Sequence, residues 1–133
     1  MFSDEAESLR PSASVTAAGI DHVRLSYHYL DSGDIDGYGS LLDDDAQLRW
    51  PEAPLGRGRA QVLSLQKGLA GPPSRHEIRK VVASGDTVVV TGRYTPSRSG
   101  RGGKAAAVEF ADLFTLSDKG MLLTHHRYYF VAP

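Results

Sequence analysis

The chain of 133 residues contains no cysteine. That excludes disulfide staples and thiolate chemistry, and it fits a reducing cytoplasmic setting. Charge of one sign is missing too: 16 acidic and 15 basic residues leave a formal net charge of −1. Neither nucleic acid nor an anionic membrane has an electrostatic reason to bind such a chain. No apolar run approaches the ~18 residues of a membrane span, and the N-terminus lacks the apolar core of a secretory signal. No two histidines stand at HxxxH or HxH spacing beside an acid, so no metal is expected. Gly56-Arg57-Gly58 and Gly100-Arg101-Gly102-Gly103 do not join a strand to a helix in a βαβ unit. A nucleotide-phosphate loop is therefore not expected, and no cofactor is implied.

What is present is enough for one domain with its own core. Residues 1–19 are rich in Ser, Ala and Glu and read as a flexible arm or a helix start. Residues 20–133 form the domain. Ile20, Val23, Tyr27 and Leu30 recur at helical spacing; Gly33 suits a helix stop and Asp34 the next N-cap. A short helix is expected over Ile35–Leu42, and Asp43-Asp44-Asp45 reads as a turn or a solvated acidic corner. A strand follows over Ala46–Trp50, then a loop to Gly58 and a third helix over Arg59–Leu69.

After Pro73 the period becomes two. Strands are expected over Arg75–Ala83, with His76, Ile78, Lys80 and Val82 on one face, and over Thr87–Thr95, with Val88, Val90, Gly92 and Tyr94 together. Pro96–Lys104, with Arg98 and Arg101, reads as a hairpin loop. Met121–Val131 alternates Leu123, His125, Arg127, Tyr129 and Val131 against Leu122, Thr124, His126, Tyr128 and Phe130.

Between them lies Ala105–Leu116. Val108, Phe110, Asp112, Phe114 and Leu116 share a face, so an acid interrupts an apolar stripe. Asp112 must find a partner, sit in a wet cavity or take up a proton. It is a candidate acid/base or a structural acid paired with Arg or His. His125 is a candidate proton carrier near neutral pH, or a hydrogen-bonded core histidine. Arg127 beside Tyr129 can hold a substrate oxygen, or it can pair with Asp112 and keep it ionised. His76 opens an inward face. Tyr27, Tyr38, Tyr94 and Trp50 are ring-stacking walls or core. His126 points outward, and His22 and His28 lie on the polar side of the first helix.

The order of helices and strands gives an α+β fold, helices laid on one face of a curved, mainly antiparallel sheet. Together with DSGDIDGYGSLLDDDAQLRW and the F-x-L-S-D-x-G turn, it resembles the NTF2-like superfamily. Within that, it resembles the SnoaL-like polyketide cyclases and ketosteroid isomerases, from about Val23 to Tyr129. The resemblance implies a cone with three N-terminal helices, closed over a cavity lined by Val88, Val90, Gly92, Tyr94, His125, Arg127 and Tyr129, with Trp50 at its mouth or floor. Steroid isomerases use a helix-one tyrosine, a carboxylate base and a later aspartic acid; the matching positions here are Ser26, Trp50 and Asp112. One of the three groups is kept and the enolising base is replaced.

The resemblance implies a cofactor-independent cyclase, isomerase or dehydratase acting on an aromatic polyketide-like compound in antibiotic biosynthesis. Asp112 and His125 are its catalytic residues. Tyr27, Tyr38, Trp50, His76, Val90, Tyr94, Arg127 and Tyr129 bind the hydrophobic small molecule, and the outer sheet face makes a homodimer. The competing reading is a non-catalytic protein that holds a hydrophobic intermediate.

Overall fold

The computed structural model describes residues 13–69, 71–96 and 106–130. Helix α1 (Ala13–Ser32) buries Val23, Tyr27 and Leu30 along one stripe. It begins upstream of Ile20, so part of the expected arm is helical. Gly33 ends it at φ 77°, a backbone region that suits glycine. Asp34 then caps α2 (Ile35–Gly39) by accepting the Gly37 N–H at 2.8 Å. That helix stops short of Leu42.

The triple aspartate is not a turn. It lies within β1 (Leu42–Arg49), where the register breaks between Leu42 and Gln47. The break leaves Asp44 and Asp45 exposed while Ala46 and Leu48 stay in the core. The following loop is also more ordered than expected. Its end, β2 (Gly56–Arg57), pairs antiparallel with Gln47 and Leu48. Helix α3 (Arg59–Leu69) falls where its apolar spacing indicated, with Val62 and Gln66 buried.

Strands β3 (Arg75–Ser84), β4 (Thr87–Thr95), β5 (Val108–Leu116) and β6 (Leu122–Tyr129) form an antiparallel succession. Strand β1 joins β6 in parallel, giving the order β2-β1-β6-β5-β4-β3. Helix α1 packs against β3 and β6, and α3 against β1 and β2. Val88, Val90, Tyr94, Phe110, Phe114 and Leu116 form the core beneath them. The opposite face presents Val89, Leu113 and His126 in one half-buried cross-strand row.

Two irregularities change which side chains face inward. In β3 the register shifts between Ile78 and Lys80. His76 is buried and Ile78 packs on the core, but Val81 and Ala83 then take the inner side, and Lys80 and Val82 are exposed. Gly92 pairs with Ile78 at this bulge, and a Cβ there would collide with the Glu77 carbonyl oxygen. In β6 the shift opposite Thr115 and Leu116 buries Leu122 where Leu123 was expected, before His125 and Arg127 resume the inward alternation. Residues 97–104 of the expected hairpin loop, with Arg98 and Arg101, lie outside the described residues, as do residues 1–12 and Val131. No described helix is long and apolar enough to cross a membrane.

Candidate active site

Asp112 projects from β5 between Phe110 and Phe114, and all three are fully buried. The sheet register sets Arg127 directly opposite it on β6. Arg127 Nε donates to Asp112 Oδ1 at 2.8 Å and Nη2 donates to Oδ2 at 2.7 Å. Oδ2 also accepts the Tyr27 hydroxyl at 2.6 Å and lies 2.9 Å from His125 Nε2. Burial alone would favour the neutral acid, but His125 and Arg127 outweigh it and hold the carboxyl well below its ordinary range. Of the alternatives open from sequence, the structure therefore selects an ionised, paired aspartate.

An ionised carboxylate only accepts, so His125 Nε2 carries the proton and Nδ1 holds a lone pair. Burial lowers the proton affinity of His125 despite the opposing pull of Asp112, which leaves the ring neutral near pH 7. The ring stacks on Phe114 with centroids 4.1 Å apart. The Trp50 indole Nε1 is 3.4 Å from the same Nε2, too long to displace the Asp112 contact.

The other side of Arg127 faces rings. Its guanidinium carbon lies 3.8 Å from the Trp50 ring centroid and 4.5 Å from that of Phe110. Nη2 also approaches His76 Nε2 at 2.8 Å. Arginine cannot accept, so that nitrogen is bare and the His76 proton sits on Nδ1. Asp31 takes that proton's hydrogen bond at 2.7 Å through Oδ1, while its Oδ2 accepts the His76 backbone N–H at 2.7 Å. Burial lowers the His76 pKa; Asp31 opposes this, and the Arg127 charge adds to it.

Tyr27, His76, Arg127, Asp112, His125 and Trp50 thus converge, as their inward positions suggested. Trp50, expected at the mouth or floor of a cavity, is buried with its ring against the Arg127 guanidinium. Val90 pairs with Asp112 across β4 and β5. Tyr94 is buried, and its hydroxyl donates to the Leu69 carbonyl at 3.2 Å. Tyr38 is buried against Gln66, whose Nε2 lies 3.4 Å from the phenol oxygen. Tyr129 is only half-buried and donates to Glu52 Oε2 at 2.6 Å. Ser26 does not take a tyrosine's place, because its hydroxyl donates to the Val23 carbonyl within α1. The phenol comes from Tyr27 instead.

Sequence reasoning missed three participants: Asp31, Gln66 and Glu52. Asp31 had a usable signal, since it lies one turn beyond Tyr27 on the same helix face. Among the described residues, Gln66 Oε1, His125 Nδ1 and Arg127 Nη1 are buried with no hydrogen-bond partner. The first two are acceptors and the third is a charged donor, each with capacity to spare. No group of three His, Cys, Asp or Glu among the described residues could hold a metal.

The comparisons agree with this architecture. A search of curated proteins finds no match. Among solved structures, a candidate SnoaL-like polyketide cyclase from Jannaschia sp. CCS1 superposes with a TM-score of 0.75 at 18% identity, covering 90% of each chain. An LEH-like epoxide hydrolase from M. tuberculosis gives 0.72 at 18%, covering 86% of this chain and 84% of its own. A candidate ketosteroid isomerase from Kribbella flavida DSM 17836 gives 0.71 at 16%, covering 89% and 82%. At these identities the likeness is one of fold. The family model of the SnoaL-like domain matches residues 23–125, well over half of the chain. With its three helices on a curved six-stranded sheet of the NTF2-like type, the chain belongs to the SnoaL-like domain family.

Proposed function

We propose that this protein is a cofactor-independent acid/base enzyme of the cyclase, isomerase or dehydratase type. Its proposed substrate is an aromatic polyketide-like small molecule of antibiotic biosynthesis, handled in the cytoplasm by a homodimer joined through the outer sheet face. The observation that carries the chemistry is the pair Asp112–His125. An ionised carboxylate fixes the imidazole tautomer and leaves the His125 Nδ1 lone pair unpartnered. A neutral imidazole so oriented is a base suited to neutral pH.

All three reaction types share a first step, removal of a proton from carbon next to a carbonyl. In this reading Nδ1 of His125 takes that proton, and the electron pair moves to the carbonyl oxygen as an enolate. Arg127 Nη1 donates to the new oxyanion. The imidazolium then returns the proton at another position, to the aldol oxygen or to a leaving hydroxide. Tyr94 and Trp50 bound the ring, with Tyr38, His76, Val90 and Tyr129 completing the lining.

The competing reading is a protein that only holds a hydrophobic intermediate. Its support is the bidentate Arg127–Asp112 pair, which occupies both carboxylate oxygens and leaves Asp112 no proton to give. One experiment separates the two: deuterium exchange at the acidic carbon of aromatic 1,3-dicarbonyl compounds in D2O, followed by NMR. Exchange catalysed by the native protein and abolished in His125→Gln, with binding kept, supports the enzyme. Binding of these compounds with no accelerated exchange supports the carrier.

A further inference from the structure

The groups assigned to the proposed reaction are sealed. His125 Nδ1 and Arg127 Nη1 are both buried, so a substrate reaches them only if part of the wall moves. Among the described residues, four rings surround the Arg127 guanidinium. Its central carbon lies 3.8 Å from the centroid of Trp50, 4.5 Å from that of Phe110, 4.9 Å from that of Tyr94 and 5.9 Å from that of Tyr129. Trp50, Phe110 and Tyr94 are at most 2% exposed, and Tyr129 is half-buried. The first three belong to the core cluster, whereas Tyr129 packs against it from outside. Tyr129 is thus the ring that can leave without dismantling the core.

One bond across a gap holds it. The parallel pairing of β1 with β6 ends where Arg49 stands opposite His126. Beyond that point the chain leaving β1 turns back, with the Ala53 N–H donating to the Trp50 carbonyl at 3.1 Å. Strand β6 runs on to Tyr129. A cleft of about 520 Å³ stands between them, with Trp50, Arg127 and Tyr129 among its walls. Small-molecule sites occupy about 300–1,000 Å³, so the size suits a ligand. The Tyr129 hydroxyl reaches across to the turn and donates to Oε2 of the exposed Glu52 at 2.6 Å. Burial, and after it this bond, push the phenol pKa up, so the hydroxyl keeps the proton it donates. The turn does not depend on the bond for its shape, because its own backbone hydrogen bond and the fixed φ of Pro51 and Pro54 already set it. A single hydrogen bond near water has a modest net strength and opens readily.

We propose that the Tyr129–Glu52 hydrogen bond is the latch of the substrate entrance, closing the cleft between β1 and β6 over Trp50 and Arg127. When the bond opens, the Tyr129 ring moves outward and the cleft reaches the guanidinium. The purpose of this movement rests on the reaction proposed above; the latch itself is a property of the wall and is tested without any substrate.

The test is acrylamide quenching of the fluorescence of Trp50, the only tryptophan in the chain. Quenching in the native protein is expected to be weak. Tyr129→Phe keeps the ring and removes the donor, and Glu52→Ala removes the acceptor. Each is expected to raise the quenching constant about three- to tenfold, the factor that one net hydrogen bond contributes. The double variant should rise no further than either single one, since both break the same contact. Asp34→Ala, which removes the α2 cap and is not a wall of the cleft, is expected to leave quenching at the native value. The proposal is overturned if Tyr129→Phe and Glu52→Ala leave quenching unchanged, or if Asp34→Ala raises it as much as they do. Should Tyr129→Phe not fold, Glu52→Ala decides alone, because that side chain is exposed. Raised quenching in the latch variants, with no deuterium exchange by any of these proteins, keeps the latch and removes the proposed reaction. Exchange that depends on His125, with quenching unchanged, does the reverse. Where both hold, KM for exchange falls in Glu52→Ala by the factor by which quenching rises, because the open form is the one that binds.

Discussion

Arg127 grips Asp112 through two parallel hydrogen bonds, Nε to Oδ1 and Nη2 to Oδ2, with both side chains fully buried. A buried pair of this kind is expensive to break from one side only, because the survivor keeps its charge without a counter-charge. Asp112→Asn is expected to lower unfolding free energy by about 3–5 kcal/mol. Replacing both, Asp112→Leu with Arg127→Met, is expected to be much milder than the sum of the single changes. Urea unfolding gives the first value and, for Asp112→Leu, Arg127→Met and the double variant, the comparison; additive losses would mean that the two groups are not coupled.

The pH dependence follows from two histidines. Burial lowers the pKa of both His125 and His76 in the folded protein, while in the unfolded chain each titrates near ~6.5. The unfolded state therefore binds more protons in the window just below that value, and stability rises with pH there. Stability is expected to be flat above neutrality and to fall as pH drops through about 6.5, by up to ~1.4 kcal/mol per pH unit for each histidine. Asp112 acts in the same sense but only in more acid solution, since its stabilising charge is fully present above its unfolded value of ~3.9. His125→Gln should flatten part of the slope near pH 6. Melting temperatures between pH 5 and pH 8, on the scale set by the histidine reference value of ~6.5, check this.

Asp31 reaches Arg127 through the His76 ring. In Asp31→Asn the new amide group no longer offers the charged acceptor that fixes the proton on His76 Nδ1. The imidazole is expected to populate the other tautomer, whose Nε2–H faces Arg127 Nη2 and repels it. The nitrogen shifts of His76 in ¹⁵N NMR report the tautomer directly. An unchanged pattern would show that Arg127 alone holds the ring.

Gly92 is a steric requirement rather than a flexible joint. Its position opposite the β3 bulge brings the Glu77 carbonyl where a Cβ would stand. Gly92→Ala is expected to cost about 1–3 kcal/mol by forcing β3 and β4 apart. Guanidinium unfolding gives the magnitude, and a neutral result would mean that the bulge moves freely.

Much of this was legible in the chain. Two-residue alternation put Asp112 on the apolar face of its strand and grouped His125 with Arg127, the family resemblance turned that second face inward, and helical spacing assigned Tyr27. The partnership among them was not legible, because an inward face does not say whether an acid meets a cation or a ligand. Register decides that, and Asp112 stands opposite Arg127. Bulges caused the other errors. Val82 continues the alternation of His76 and Ile78 in the sequence, yet the extra residue in β3 turns it 50% into solvent. The three aspartates look like a turn because their charge predicts exposure, and an irregular edge gives exposure inside a strand. Gln66 carried no signal, since nothing local distinguishes a buried glutamine from a surface one on an amphipathic helix.

The parallel pairing of β1 with β6 has a consequence for synthesis. Leu42 and Leu48 are translated early, but the strand they pair with ends at Tyr129. That same late strand brings Arg127 and His125 to Asp112. On the ribosome, Asp112 emerges before either counterpart, so the sheet cannot gain its first strand or settle its central charge until almost all of the domain is free. Closure is therefore a long-range and late event, the kind that folds slowly and that chaperones have time to attend.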